Sequence, residues 1–271
     1  MDFYSQQFPQ LLVQKKSNQL WLTLNNPDQS NAITYEIIDS LGKVLKHADF
    51  DPEIRVIVIT GAGKNFCSGG DIKAMAEKTG MFQGEGNELR MRYQQGIQQI
   101  PKTIEDISTP IIAMVNGAAI GAGCDLAMMC DMRIGTTSTK FGETFTKIGL
   151  IPGDGGTFFL QRVVGYAKAM EMTLTGDLYE GQKAKDCGLL NILTDDTQLL
   201  AETEKLAAKI AANAPVAQSM AKKAMKISYL HDLQTSLDLL AAFQGITQRT
   251  QDHFEALEAA KNKRPPSFKG Q

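Results

Sequence analysis

The sequence predicts an α/β fold closed by a helical C-terminal region. Three observations carry this. Arg55 to Thr60 (RVIVIT) is β-branched at every position after the arginine, the pattern of a strand buried on both faces, as in parallel sheets. A second apolar run, Ile111 to Val115, is followed by a turn at Asn116-Gly117, a small-residue run and an apolar segment of helical length, which reads as strand, turn and helix. Strands alternate with helices up to about residue 195, and only helical periodicity follows Leu193; alternation of this kind is the mark of α/β architecture. The chain is therefore expected to divide into a core over 1–195 and a helical region over 196–271, the latter suited to oligomerisation.

Taken in order, Leu20 to Leu24 (LWLTL) alternates as a strand and ends at Asn25-Asn26-Pro27. A helix starts near Thr34, its expected N-cap, with Ile37, Leu41, Val44 and Ala48 on one face. The RVIVIT strand empties into GAGKNFCSGGD, residues 61 to 71. Residues 77 to 88 are polar and Gly-rich and read as a mobile loop, a candidate lid, with one helix expected over 89 to 107. A glycine-rich turn spans Pro152 to Gly156. Four helices follow, the second begun by Pro215, and the tail KRPPSFKGQ reads as loose.

Bulk properties exclude several function classes. At 271 residues, with a net charge of −2, the chain has no basic surplus for nucleic acid or an acidic membrane surface. No apolar run approaches the ~20 residues of a membrane span, and MDFYSQQFPQ lacks the n- and h-regions of a signal peptide. Cys67, Cys124, Cys130 and Cys187 form no C-x-x-C pair. A reduced, cytoplasmic protein is expected.

The motifs narrow the chemistry further. GAGKN at 61 to 65 lacks the Ser or Thr that follows the lysine of a P-loop. GAAIGAG at 117 to 123 has the wrong glycine spacing for a dinucleotide fingerprint. Ser68, in NFCSGG, is not in a nucleophile elbow, and His47, His231 and His253 lie far from every glycine turn. No His/Cys cluster has metal-ligand spacing. Carboxylates and backbone remain. Asp125 and Asp154 sit at the mouths of two glycine-rich turns. FCSGGD and NGAAIGAGCD each follow a strand, so two backbone N–H groups can aim at one point, as in a main-chain oxyanion hole; plain strand-to-helix turns are the alternative.

LNNPDQSNAIT, VIVITGAGKNFCSGGDI, PIIAMVNGAAIGAGCDLAMMCD, KFG, IGLIPGDGGT and AMEMTLTGD occur in this order, and with them the chain resembles the crotonase superfamily, the enoyl-CoA hydratase/isomerase family, over nearly its whole length. The resemblance implies a crotonase (ClpP/crotonase-like) fold of repeated ββα units and assembly as a homo-trimer or dimer of trimers. It implies an acyl-CoA thioester substrate, turned over through an enolate, with coenzyme A as part of the substrate and no separate cofactor. By motif, the oxyanion donors fall on Gly70 and Ala122. Asp71, Ile72 and Lys73 would line the CoA site with Ser68 in the same turn, and Ala32 would lie near the pantetheine or adenine. The acyl pocket is expected from residues 77 to 100.

The first of the two glutamates carried by the family's hydratases falls on Asp125, one methylene shorter; the second falls on Phe145. Adding water needs a held water, a base and an acid, and a phenyl ring supplies neither group. Asp154 matches an aspartate position used by dienoyl-CoA isomerases and a chloroaryl-CoA dehalogenase of the superfamily, with N-capping of the next helix as its structural alternative. Glu143 is the second candidate for a replacement acid. Phe145 also resembles the epoxyphenylacetyl-CoA isomerase branch. Hydration, double-bond isomerisation through Asp154, and a degenerate CoA-ester binder all stay open, with Asp125 and Asp154 flanking the enolate and Phe145 over the acyl chain.

Overall fold

A computed structural model of the chain describes residues 2–271. The elements in order are β1 (Leu11–Lys16), β2 (Gln19–Leu24), α1 (Tyr35–Phe50), β3 (Val56–Gly61), α2 (Ile72–Glu77), α3 (Gly86–Gln95), α4 (Gln99–Asp106), β4 (Ile111–Val115), β5 (Ala118–Ile120) and α5 (Ala122–Met129). There follow β6 (Met132–Thr136), β7 (Lys140–Gly142), α6 (Gly156–Val164), α7 (Tyr166–Thr175), β8 (Leu178–Glu180), α8 (Gly181–Asp186), β9 (Ile192–Thr194), α9 (Leu199–Ala211), α10 (Pro215–Ser228), α11 (Leu233–Thr247) and α12 (Gln251–Lys261).

The strands form two sheets, one ordered β1-β2-β3-β4-β6-β9 and a smaller one ordered β5-β7-β8. Only the β1–β2 and β7–β8 pairs are antiparallel. Every residue of β3 is buried, and its alternation serves two cores. Ile57 and Ile59 join Leu20, Leu22 and Leu24 on the face covered by α1. Val56 and Val58 join Trp21, Ile112 and Ile134 on the other face, where Leu199 and Ala207 of α9 pack. A sheet covered on both faces needs such double-sided strands, and α9 is part of that cover although it lies past residue 195. Thr34 caps α1 by accepting from the Ile37 N–H at 3.3 Å.

Three local expectations change. β1 (LLVQKK) shows little apolar alternation and is held by pairing with β2 instead. The single helix expected over 89 to 107 is two, α3 and α4, separated at Gly96, and residues 77 to 88 hold a 3-10 turn at Gly80–Phe82 and the start of α3. The tail is pinned, because the buried Asp252 carboxylate accepts from the Lys269 and Gly270 N–H groups at 2.7 and 2.8 Å. Among the described residues, no helix is long and apolar enough to cross a membrane.

Candidate active site

The two glycine turns meet. Cys67 and Ala119 form an isolated parallel bridge, with the Cys67 N–H donating to Ala118 O and the Ile120 N–H to Cys67 O, both at 3.0 Å. The approach is so close that a Cβ on Gly69 would lie 2.6 Å from Ile120 O and 3.1 Å from the Ala122 nitrogen. Gly69 also has φ +87°, which only glycine adopts cheaply. Ala122 is the first residue of α5, so its N–H belongs to the helix's unpaired opening donors. The Ile33 N–H donates to Gly69 O at 2.8 Å, tying the NAIT loop to the same turn.

Gly70 and Ala122 line a cavity of about 90 Å³ together with Ser68, Ile72, Gly121, Phe145 and Asp154. Met81, Phe82, Tyr93 and Ile97 close it from the 77–100 segment, and Met75 lies against Gly70, where a Cβ would collide with its methyl group. The lining is overwhelmingly apolar. Asp154 is its one carboxylate among the described residues. The Phe145 ring stands 3.6 Å from where a Gly121 Cβ would be, over the start of α5.

The remaining expected residues lie elsewhere. Ala32 is buried and does not line the cavity. Asp71 caps α2 by accepting from the Ala74 N–H at 3.0 Å. Lys73 is exposed, 3.9 Å from Glu77. Asp125 and Glu143 have no solvent exposure and lie behind the cavity wall. Asp125 therefore does not flank the cavity beside Asp154, because α5 is buried over its whole length and turns the side chain inward.

Asp125 has a different first partner: its Oδ2 accepts from the Gly156 N–H at 3.0 Å, at the opening of α6. Helix openings attract negative charge. Asp154 is not the cap, since Gly155 holds that place with no side-chain cap bond. The Asp125 carboxyl is neighboured by those of Glu143 and Asp154, and Asp125 Oδ1 has no backbone or side-chain donor. Burial pushes its carboxyl well above the usual range, and the Glu143 and Asp154 charges push it further. Burial also raises Glu143 and Asp154, but hydrogen bonds from Asp125 pull both back. Tyr93 is raised by burial and by the charge of Asp154.

The segment 77–100 does supply cavity lining, as expected, but the sequence did not single out Met81, Phe82 and Tyr93 within it, nor Met75 before it, because nothing in a mixed polar segment marks which side chains turn inward. Their only signal was position, following the FCSGGD turn.

A covered α/β sheet whose crossing glycine turns line an apolar cavity with a single carboxylate, Asp154, has the layout of an enzyme active site. Residues 14–271 match the family model described as enoyl-CoA hydratase/isomerase, and the chain belongs to that family. It is 36% identical over 267 residues to the mitochondrial enoyl-CoA hydratase of Pongo abelii, covering 97% of this chain and 89% of that one. It is 33% identical over 249 residues to the 1,2-epoxyphenylacetyl-CoA isomerase of Escherichia coli (strain K12), covering 92% and 94%. The crystal structure of an enoyl-CoA hydratase from Bacillus anthracis superposes with a TM-score of 0.90 at 31% identity, covering 97% of this chain and all of that one. The crotonase fold expected from the motifs is the fold observed.

Proposed function

We propose that this protein moves the double bond of an acyl-CoA thioester through an enolate, with Asp154 taking and returning the proton. The observation that carries this reading is the lining of the cavity: one carboxylate, Asp154, and a phenyl ring, Phe145, where hydration would need a second acid–base group. The thioester carbonyl oxygen sits between the Gly70 and Ala122 N–H groups, which stabilise it as negative charge develops. The Asp154 carboxylate removes a proton from the α-carbon. The C–H electron pair becomes part of the dienolate, and the proton, now on Asp154, is delivered to the γ-carbon as the electrons return. One bond to hydrogen breaks and one forms, with no water consumed. An apolar lining suits this chemistry, because it excludes water that would quench the dienolate.

Substrate entry follows the same reading. The CoA portion would run past Ser68 and the exposed Ile72 at the cavity mouth. Trimeric assembly through the helical region is also part of it, since Leu233, Leu237 and Leu240 on α11 are exposed in the single chain; light scattering of the purified protein checks the mass.

The test is a pair of incubations. With a β,γ-enoyl-CoA, the conjugated absorbance of the thioester should appear. With crotonyl-CoA, it should persist. Rapid loss of the crotonyl-CoA absorbance would make the enzyme a hydratase and overturn the reading.

A further inference from the structure

Three carboxyl side chains meet behind the cavity, and only one of them reaches it. Asp125 and Glu143 have no exposure, and Asp154 has 3%. Were all three ionised, Asp125 Oδ1, both Glu143 oxygens and Asp154 Oδ1 would have no donor. Like charges this close, this deeply buried, cannot all persist. The neighbouring titratable groups offer no cation: Cys124 on α5 faces Glu143, while Cys67 and Tyr93 face Asp154. The opening of α6 is already taken by Asp125 through Gly156.

Glu143 is the unexplained member. It follows β7, lies away from the cavity lining and has neither an ion pair nor a backbone donor. A buried carboxyl placed like this is costly unless its neighbours use it. Its use lies in Asp125, which is neighboured by Glu143, away from the cavity, and by Asp154, which lines it.

We propose that Glu143 is a positioning residue that keeps a proton on Asp125, so that Asp125 donates a hydrogen bond to Asp154 and leaves Asp154 as the ionised group facing the substrate. This rests on Asp154 as the proton-carrying group. Glu143 sets a like charge behind Asp125, which opposes loss of the Asp125 proton. That proton stays on Asp125 throughout; only the Asp154 carboxylate exchanges a proton with the substrate. A neutral amide at position 143 would act in the opposite sense, donating to Asp125 and favouring its ionised form. Asp125 would then compete with Asp154 for the negative charge.

The decisive measurement is an infrared titration of the unligated full-length protein, following the carbonyl stretch of protonated carboxyl groups. Glu143→Gln and Glu143→Leu are compared with the wild type, and Asp125→Asn identifies which band belongs to Asp125. In both position-143 variants the Asp125 band should vanish at a pH lower by about one unit or more than in the wild type. An unchanged midpoint in both overturns the proposal. No substrate is needed, so this result is independent of whether the β,γ-enoyl-CoA is turned over. Where it is turned over, the acidic limb of kcat/KM should rise in Glu143→Gln at similar KM, as Asp154 becomes harder to ionise. A purely structural role for Glu143 would lower kcat and Tm without moving that limb, and that outcome also overturns the proposal.

Discussion

Gly156 donates its backbone N–H to Asp125 Oδ2 at 3.0 Å, across 31 residues of sequence. The contact leaves no room for a side chain, since a Cβ on Gly156 would collide with the carboxylate, its Cγ lying 2.7 Å away. Gly156→Ala should therefore push Asp125 off the α6 opening. Overpacking of this kind costs about 1–3 kcal/mol, to be read from the denaturation midpoint, and turnover should fall with it.

Asp154→Asn tests the proton carrier. The amide keeps the shape of the side chain but cannot accept the α-proton. Turnover of the β,γ-enoyl-CoA should drop by roughly 10²- to 10⁴-fold, while binding of the acyl-CoA, measured by calorimetry, changes little. Residual turnover within a few-fold of wild type would remove Asp154 from its role.

Gly69→Ala tests the meeting of the two turns. It combines a φ of +87° with a Cβ 2.6 Å from Ile120 O and 3.1 Å from the Ala122 nitrogen. Strained backbone of this sort costs on the order of 1–3 kcal/mol. Because the variant also displaces Ala122, kcat should fall by about 10²-fold, the order expected when one donor to a developing oxyanion is misplaced.

The carboxyl cluster also sets the pH dependence of stability. Asp125, Glu143 and Asp154 all bind protons more tightly in the folded chain than in the unfolded one, chiefly through burial. Their contribution is fully present below about pH 4, the unfolded carboxyl range, and is lost as pH rises through the raised folded values. Tm measured from about pH 5 to 8 should therefore decline on this account, and Asp125→Asn should flatten the decline. An identical slope in the variant would contradict the assignment.

Much of the fold was legible in the chain. Val56 to Thr60 of RVIVIT read as a strand buried on both faces because five successive β-branched residues suit two cores, and Thr34 was readable as a cap because capping is local. The turns around Gly70 and Ala122 were legible for the same reason, each being a contiguous motif. The arrangement of the carboxyl groups was not. Asp125 and Asp154 look equivalent as acids at glycine turns, yet one lies behind the wall and the other lines the cavity. What separates them is a pairing between α5 and α6, set by packing between distant segments. Glu143 and Phe145, two residues apart, part company likewise: the first meets Asp125 and the second faces the cavity. β1 was missed because its polar side chains hide a strand held by its neighbour.

The Cys67–Ala119 bridge separates what must be constant from what is free to vary. The turns carrying Gly70 and Ala122 are fastened to each other by two backbone hydrogen bonds, whose geometry no side chain dictates. Met75, Met81, Phe82 and Tyr93, which shape the cavity, hang from a separate stretch of chain. On the proposed function, substitutions there would re-tailor acyl preference while the turns carrying Gly70 and Ala122 stay fastened. On that reading the fold pairs a fixed frame with an interchangeable pocket, and a library confined to Met81, Phe82 and Tyr93 would sample new substrates at little cost to the frame.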